Sequence, residues 1–332
     1  MDIDHVVFVE PGRAILERCS IEIEKKAHCV IEHEYTLISP GTEVALFSGT
    51  HIGFSDPDIP WARYPLKPGY AAVGRVVEAA DGCVLGIGER ILYYGPHASH
   101  GVLDTDSMIW AKLPDVGDPL PYLFTRFAQI AYSAVVALHR APRNAIVYGA
   151  GIVGNLCAQL FSALPGIEEV GILDLSERRL AVAAECGISG ASSARELSFT
   201  ADTIVEATGA PAVVNEALKV IDTRGQLILL GSSRGTVEVN FYKLVHRKLV
   251  SIIGAHETIL PVKESDLKNR APQARWASQQ EAVDGLLGMI TDGRLRVRPF
   301  IQTVVSPAEV QQALQNLLEK PNEYLGTFIR WR

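Results

Sequence analysis

Ala145-Ile146-Val147-Tyr148-Gly149-Ala150-Gly151-Ile152-Val153-Gly154 decides how this chain folds. Its apolar start reads as a strand, and the glycines that follow have the G-x-G-x-x-G spacing. An apolar, helix-like segment begins inside the motif, so strand, turn and helix succeed one another without a gap. Gly149 permits the tight turn, Gly151 lets a phosphate meet bare backbone, and Gly154 lets helix and strand pack closely. The helix start, at Ile152 and Val153, offers N–H groups without intrahelical partners and the positive end of the helix dipole, which together suit a pyrophosphate. Asp174 closes the next apolar run, 20 residues beyond Gly154. A carboxylate there accepts both hydroxyls of an adenosine ribose and repels a 2′-phosphate, so the expected cofactor is NAD rather than NADP. Arg178 and Arg179 follow on a helix, with Arg179 placed to touch the same end of the dinucleotide.

Outward from this stretch, short apolar runs alternate with helix-like ones. Strands are expected at 170–173, 203–206, 226–230 and 249–253, and helices at 124–138, 178–186 and 212–220. Continuous apolar strands alternating with helices imply a doubly wound parallel sheet covered on both faces, the α/β class. Ligands in such sheets bind beyond the carboxyl ends of strands. The turns Ala207-Thr208-Gly209 and Leu230-Gly231-Ser232 therefore join the expected cofactor site through Thr208, Gly209, Leu230, Gly231 and Ser232. Before residue 121 the pattern is different: short β segments at 29–34, 74–78 and 90–94 are broken by Gly and Pro, and 48–68 reads as a long loop. Beyond Gly254 two helices remain. Ser278 with Glu281, and Ser306 with Pro307 and Glu309, carry the spacing of a capping box at their starts. The expected division is a Rossmann domain over 121–262 and an irregular β-rich domain over 1–120 and 263–332.

A chain of 332 residues fits two domains, and a composition of 48% apolar and 21% charged residues supports real cores. A net charge of −7 argues against nucleic acid as a partner, and no apolar run is long enough to span a membrane. The first residues lack the layout of a secretory signal, so a cytoplasmic location is expected. Cys19, Cys29, Cys83, Cys157 and Cys186 are odd in number and scattered, suggesting neither a disulfide framework nor a zinc cluster.

The order of parts, with Ser39-Pro40-Gly41-Thr42-Glu43, Pro68-Gly69-Tyr70-Ala71-Ala72-Val73-Gly74, Gly88-Glu89-Arg90 and Tyr132-Ser133-Ala134-Val135, resembles the medium-chain dehydrogenase/reductase superfamily of alcohol and polyol dehydrogenases. The resemblance implies a GroES-like catalytic domain beside the Rossmann domain, a small-molecule substrate, and a homodimer or homotetramer. Zinc-dependent members carry ligands at places that fall here on Pro40, Tyr70 and Ala71 and, counted back from Tyr132, near Arg126, none of which replaces thiolate, imidazole or carboxylate at Zn²⁺. The four-cysteine lobe for a structural zinc is absent too, so no metal is expected.

Without a metal, hydride transfer still needs an acid/base group and a donor for the developing alkoxide. Tyr70 is the first candidate. Thr42 and Glu43 match positions that relay protons or order the site in zinc members. His97 and His100 are expected on a loop bordering the site, and Arg126 is expected to bind an anionic or oxygen-rich substrate group. The leading expectation is NAD-dependent interconversion of a secondary alcohol (polyol, amino alcohol or ring-bearing) and its ketone. A quinone- or enoyl-type reductase and a non-catalytic dinucleotide-binding protein are the alternatives.

Overall fold

A computed structural model describes residues 1–23, 26–263 and 275–332. The chain forms two compact units, Met1–Arg126 with Phe300–Arg332, and Phe127–Pro299.

The first unit opens with an antiparallel hairpin, β1 (Asp2–Glu10) and β2 (Arg13–Ser20), turned at Gly12, where φ is 76°. The spine is β3 (His28–Ile38), eleven residues long, followed by the short helix α1 (Thr42–Ser48). Antiparallel partners follow as β4 (Ala72–Ala79), β5 (Arg90–Tyr93), β6 (His100–Asp104) and β7 (Trp110–Lys112).

Helix α2 (Phe124–Val136) carries the boundary in its first turn. The second unit then alternates strand and helix: β8 (Asn144–Tyr148), α3 (Ile152–Ser162), β9 (Glu169–Leu173), α4 (Glu177–Glu185) and β10 (Ser189–Ala191). It continues with β11 (Thr203–Glu206), α5 (Pro211–Val220), β12 (Gln226–Leu229), β13 (Ser251–Gly254) and α6 (Gln279–Thr291). The strands form one parallel six-stranded sheet in the order β10-β9-β8-β11-β12-β13. From β8 the chain runs first to one side and then, at β11, to the other. That reversal is the switch point where open α/β sheets bind ligands. The parallel sheet explains the unbroken apolar strands: Ile146, Ile204 and Leu227 are at most 2% exposed and pack with Ala217, Leu218 and Ile221.

The chain returns to the first unit as β14 (Ile301–Val305), α7 (Val310–Glu319) and β15 (Gly326–Arg330). These complete a seven-stranded sheet in the order β14-β15-β3-β4-β5-β7, with β6 pairing β3. Phe8, Phe47, Leu314, Leu317 and Ile329 form a core between β1, α1, α7 and β15.

The return was expected at residue 263 and falls instead at Phe300. The segment before it is tied to the second unit by polar contacts that carry no sequence periodicity. Gln159 donates to the Arg296 carbonyl (3.1 Å) and accepts the Arg296 N–H (2.7 Å). The Tyr132 hydroxyl accepts the N–H groups of Arg275 and Trp276. At the start of α6, Ser278 accepts the Glu281 N–H as expected, but the Glu281 carboxylate reaches one residue further back, to the Ala277 N–H (2.7 Å). The Glu309 carboxylate accepts the Ser306 N–H at 2.8 Å, as its spacing indicates. Among the described residues, no helix is long and apolar enough to cross a membrane.

The glycine turn yields a contrast in stability. A Cβ on Gly154 would lie 1.9 Å from the Gly149 carbonyl oxygen, whereas one on Gly151 would meet nothing within 4 Å. Gly154→Ala is expected to lose about 1–3 kcal/mol of unfolding free energy and Gly151→Ala almost none, as read from urea midpoints. Equal losses would show that the close approach is not the constraint.

Candidate functional site

The polar groups of interest form one cluster in each unit. In the second unit, β8 is followed by Gly149 at φ 101°, and Gly151, extended at φ −67° and ψ 180°, caps α3. Ile152 is buried, so only its backbone N–H can face a ligand, while Val153 is partly exposed. The open space at Gly151 is a cradle that a side chain would fill, the feature a pyrophosphate requires.

Asp174 follows β9 and turns toward this loop. Its Oδ2 accepts the Ala150 N–H (2.8 Å) and its Oδ1 the Ser176 N–H (2.9 Å), and Arg179 Nη1 stands 3.6 Å from Oδ2. A carboxylate has about four lone-pair positions, so these two bonds leave room for two ribose hydroxyls. Arg178 is exposed, and Arg179 is paired with the acid. A dinucleotide therefore fits the groups present.

The two later turns follow β11 and β12, and a residue not singled out from sequence links them. Glu206, the last residue of β11, is fully buried. Its Oε1 accepts the N–H groups of Thr208 (2.6 Å) and Gly209 (3.0 Å) and the Thr208 hydroxyl. Its backbone carbonyl accepts the N–H groups of Leu230 and Gly231. Ser232 is exposed beside them. A charged residue closing an apolar strand was the available signal, and it was absorbed into the strand.

In the first unit, Gly69 holds φ 112°, and a Cβ there would lie 2.1 Å from the His97 backbone nitrogen. This contact sets Tyr70 beside the loop 94–99. The Arg126 guanidinium lies over two π faces, 4.9 Å from the Tyr70 ring centroid and 4.4 Å from that of Tyr94. Arg126 is only 7% exposed, so it is not a solvated helix charge. Burial, reinforced by the nearby Glu43 charge, pushes the Tyr70 phenol up to about 12, against the pull of Arg126 and of hydrogen bonds with Ser39 and Thr42. The phenol is thus neutral at physiological pH and able to donate.

Glu43 and His97 form a second buried pair, with Oε2 and Nε2 3.1 Å apart. The same Oε2 accepts the Ser39 N–H at 2.6 Å, so Glu43 fixes the turn that carries Thr42. Glu43 Oε1 and His97 Nδ1 are buried with no hydrogen-bond partner among the described residues. His100 was expected on the same loop but begins β6, where it pairs in register with Glu32 and contacts Ser99 Oγ. The loop is pinned from beneath by His33, which sequence did not reveal. His33 Nδ1 is 2.6 Å from the Ala98 carbonyl and Nε2 is 2.6 Å from the Tyr93 hydroxyl. A carbonyl can only accept, so Nδ1 donates and Nε2 accepts from the phenol: His33 is the neutral Nδ1–H tautomer.

Pro40, Tyr70, Ala71 and Arg126, which the resemblance places at or near zinc-ligand positions, carry no thiolate, imidazole or carboxylate. Among the described residues, no three His, Cys, Asp or Glu side chains are grouped to hold an ion.

Both units together have the fold of the medium-chain dehydrogenase/reductase superfamily, and the relatives of this chain are alcohol and polyol dehydrogenase-like oxidoreductases. The uncharacterized zinc-type alcohol dehydrogenase-like protein YdjJ of Escherichia coli K12 is 23% identical over 231 residues, 66% of this chain and 60% of that one. The 2-desacetyl-2-hydroxyethyl bacteriochlorophyllide A dehydrogenase of Rhodobacter capsulatus is 26% identical over 316 residues, 91% of this chain and 90% of its own length. No protein-family model matches.

Among solved structures, an Escherichia coli oxidoreductase/dehydrogenase of unknown specificity, ECK1772, superposes with a TM-score of 0.80 at 20% identity, covering 99% of each chain. The alcohol dehydrogenase rspB of E. coli CFT073, complexed with NADH, gives 0.78 at 14% identity, with 99% of each chain covered. A zinc-binding dehydrogenase of Sinorhizobium meliloti 1021, bound to NADP, gives 0.76 at 16% identity over 99% of each chain.

Burial lowers His33 from the ordinary imidazole value of 6.5 to about 3, and burial lowers His5 and His100 as well. Between those two values the unfolded chain binds a proton that the folded one refuses. Stability is therefore complete above pH 6.5 and falls as the pH drops toward 3, by at most about 1.4 kcal/mol per pH unit from His33. Urea midpoints at pH 7.5 and 5.0 should show a smaller acid loss in His33→Gln than in the wild type. Parallel losses would remove His33 as the responsible group.

Proposed function

We propose that this protein is a zinc-independent, NAD(H)-dependent oxidoreductase interconverting a secondary alcohol and its ketone. The observation that carries the proposal is the buried Arg126 guanidinium lying over the half-buried rings of Tyr70 and Tyr94, which sets a neutral phenol and a fixed positive charge at positions the resemblance assigns to metal ligands. Bound NAD supplies the hydride acceptor, and NADH the donor.

The chain's own groups handle the rest. Gly151 and the start of α3 receive the pyrophosphate, while Gly149 and Gly154 shape the turn. Asp174 accepts the adenosine ribose hydroxyls and keeps Arg179 neutralised, which favours NAD over NADP. Thr208, Gly209, Leu230, Gly231 and Ser232 form the turns over which the rest of the dinucleotide lies. Tyr70 donates to the substrate oxygen as it gains charge during ketone reduction and takes the proton back in alcohol oxidation. Arg126 stabilises the charge that passes through the phenol, a role nearer the chemistry than recognition of a remote anionic group. The Thr42 hydroxyl, hydrogen-bonded to the phenol, relays the proton. Glu43 and His97 act as positioning residues, since they hold the turn and loop on either side of Tyr70.

The relatives' names point to polyols and hydroxyethyl-bearing rings, and a polyol, amino alcohol or ring-bearing secondary alcohol is the substrate class proposed here. The test is NAD⁺ reduction with a panel of these alcohols on protein freed of metal by chelation. Tyr70→Phe should cut turnover about a hundredfold or more while NADH affinity stays within twofold; unchanged turnover would remove Tyr70 from the chemistry. Asp174→Ala should weaken NADH and, by releasing Arg179, narrow the gap to NADPH. A wild type that prefers NADPH would favour an enoyl-type reductase instead.

A further inference from the structure

Glu206 is, among the described residues of the second unit, the only Asp or Glu that is buried from solvent. Every donor it meets is neutral: the Thr208 N–H, the Thr208 hydroxyl and the Gly209 N–H. No Lys, Arg or His stands within ion-pair distance of it among the described residues. These bonds hold the carboxylate in place without cancelling its charge, and the low-polarity surroundings let its field reach further than it would in water.

Its location gives that field a target. Thr208 packs against the first glycine of the motif, for a Cβ on Gly149 would come within 3.0 Å of Thr208 Cγ2. On the other side, a Cβ on Gly231 would lie 2.9 Å from Glu206 Oε2 and 2.4 Å from the Gly209 nitrogen. One carboxylate therefore braces the turns that end β8, β11 and β12, where the sheet's strand order reverses. A turn needs only donors and acceptors for its geometry, and an amide could supply the acceptor. A formal charge does something further when the ligand itself changes charge.

We infer that Glu206 biases the nucleotide site toward the oxidised, positively charged nicotinamide over the reduced, neutral one. The inference rests on the nicotinamide-dependent reading above and adds a redox preference to it. NAD⁺ carries one more positive charge than NADH, so a fixed negative charge under the site lowers the free energy of one relative to the other. A purely structural role would move both affinities alike.

The experiment is calorimetric titration of NAD⁺ and of NADH into the wild type and Glu206→Gln, with no substrate present. The ratio Kd(NAD⁺)/Kd(NADH) is expected to rise about tenfold in the variant, whatever happens to the two affinities together. Glu206→Asp keeps the charge but shifts the bonds, so it should weaken both nucleotides with little change in the ratio. An unchanged ratio in folded Glu206→Gln overturns the inference. Should that variant not fold, Glu206→Asn, which removes the charge, is compared with Glu206→Asp, which keeps it: a higher ratio in Glu206→Asn supports the bias, and equal ratios overturn it. Binding of neither nucleotide by the wild type overturns the proposed function itself, and the bias with it.

Discussion

The second unit depends on one close approach, the passage of α3 under the Gly149 carbonyl, which leaves no volume for a side chain at Gly154. That contact holds the helix start against the end of β8 and keeps the open N–H groups together. The left-handed φ of Gly149 follows, because the chain must reverse within one residue to enter the helix. Asp174 then bonds to the Ala150 N–H, so the neighbouring strand closes the same loop from its other side. Strand order does the rest: β11 leaves β8 in the direction opposite to β9, and the turns at the sheet's centre gather at that switch point.

The first unit faces a different constraint, the burial of charge without a metal. A lone guanidinium or carboxylate taken from water costs several kcal/mol unless other groups replace its hydration. For Arg126, two tyrosine faces attract the cation and offset part of that cost. Glu43 is compensated by an N–H from its own turn and by an imidazole. The orphaned ends of that pair, Oε1 and Nδ1, show that compensation is incomplete. Natural proteins tolerate such atoms mainly where the polarity is used.

The α/β half was legible because its signals are local. The glycine spacing, the apolar runs and the acid after β9 each lie within a few residues, and the structure forms the strand, turn and helix they indicate. The β-rich half was only partly legible. Strands β1, β2, β6, β7, β14 and β15 were not singled out: Arg13–Ser20 is mostly exposed, β1 passes from alternation into an unbroken apolar run, and the others are short, so none shows a sustained two-residue alternation. Tyr94, His33 and Glu206 escaped notice for another reason: each acts through partners tens of residues away or through its own backbone turn, and spacing does not encode such contacts. Arg126 was visible as a position and not as an environment. Its burial over two rings depends on Gly69 pressing Tyr70 against the 94–99 loop, a tertiary event.

The two units nonetheless solve their polar problem in a related way. In each, a carboxylate leaves the surface and accepts N–H groups from the turn it belongs to: Glu43 from Ser39, and Glu206 from Thr208 and Gly209. Such a bond fixes a loop without covering its outer face, because the acid sits on the protein side. The outer face keeps its carbonyls, hydroxyls and bare glycine for a ligand. A loop fixed by apolar packing would need a large side chain inside it, and that side chain would push the backbone apart at the positions where Gly69, Gly209 and Gly231 show contact distances too short for a Cβ. The buried acids and the crowded glycines are thus two sides of one arrangement, in which backbone lies on backbone and charge is kept beneath.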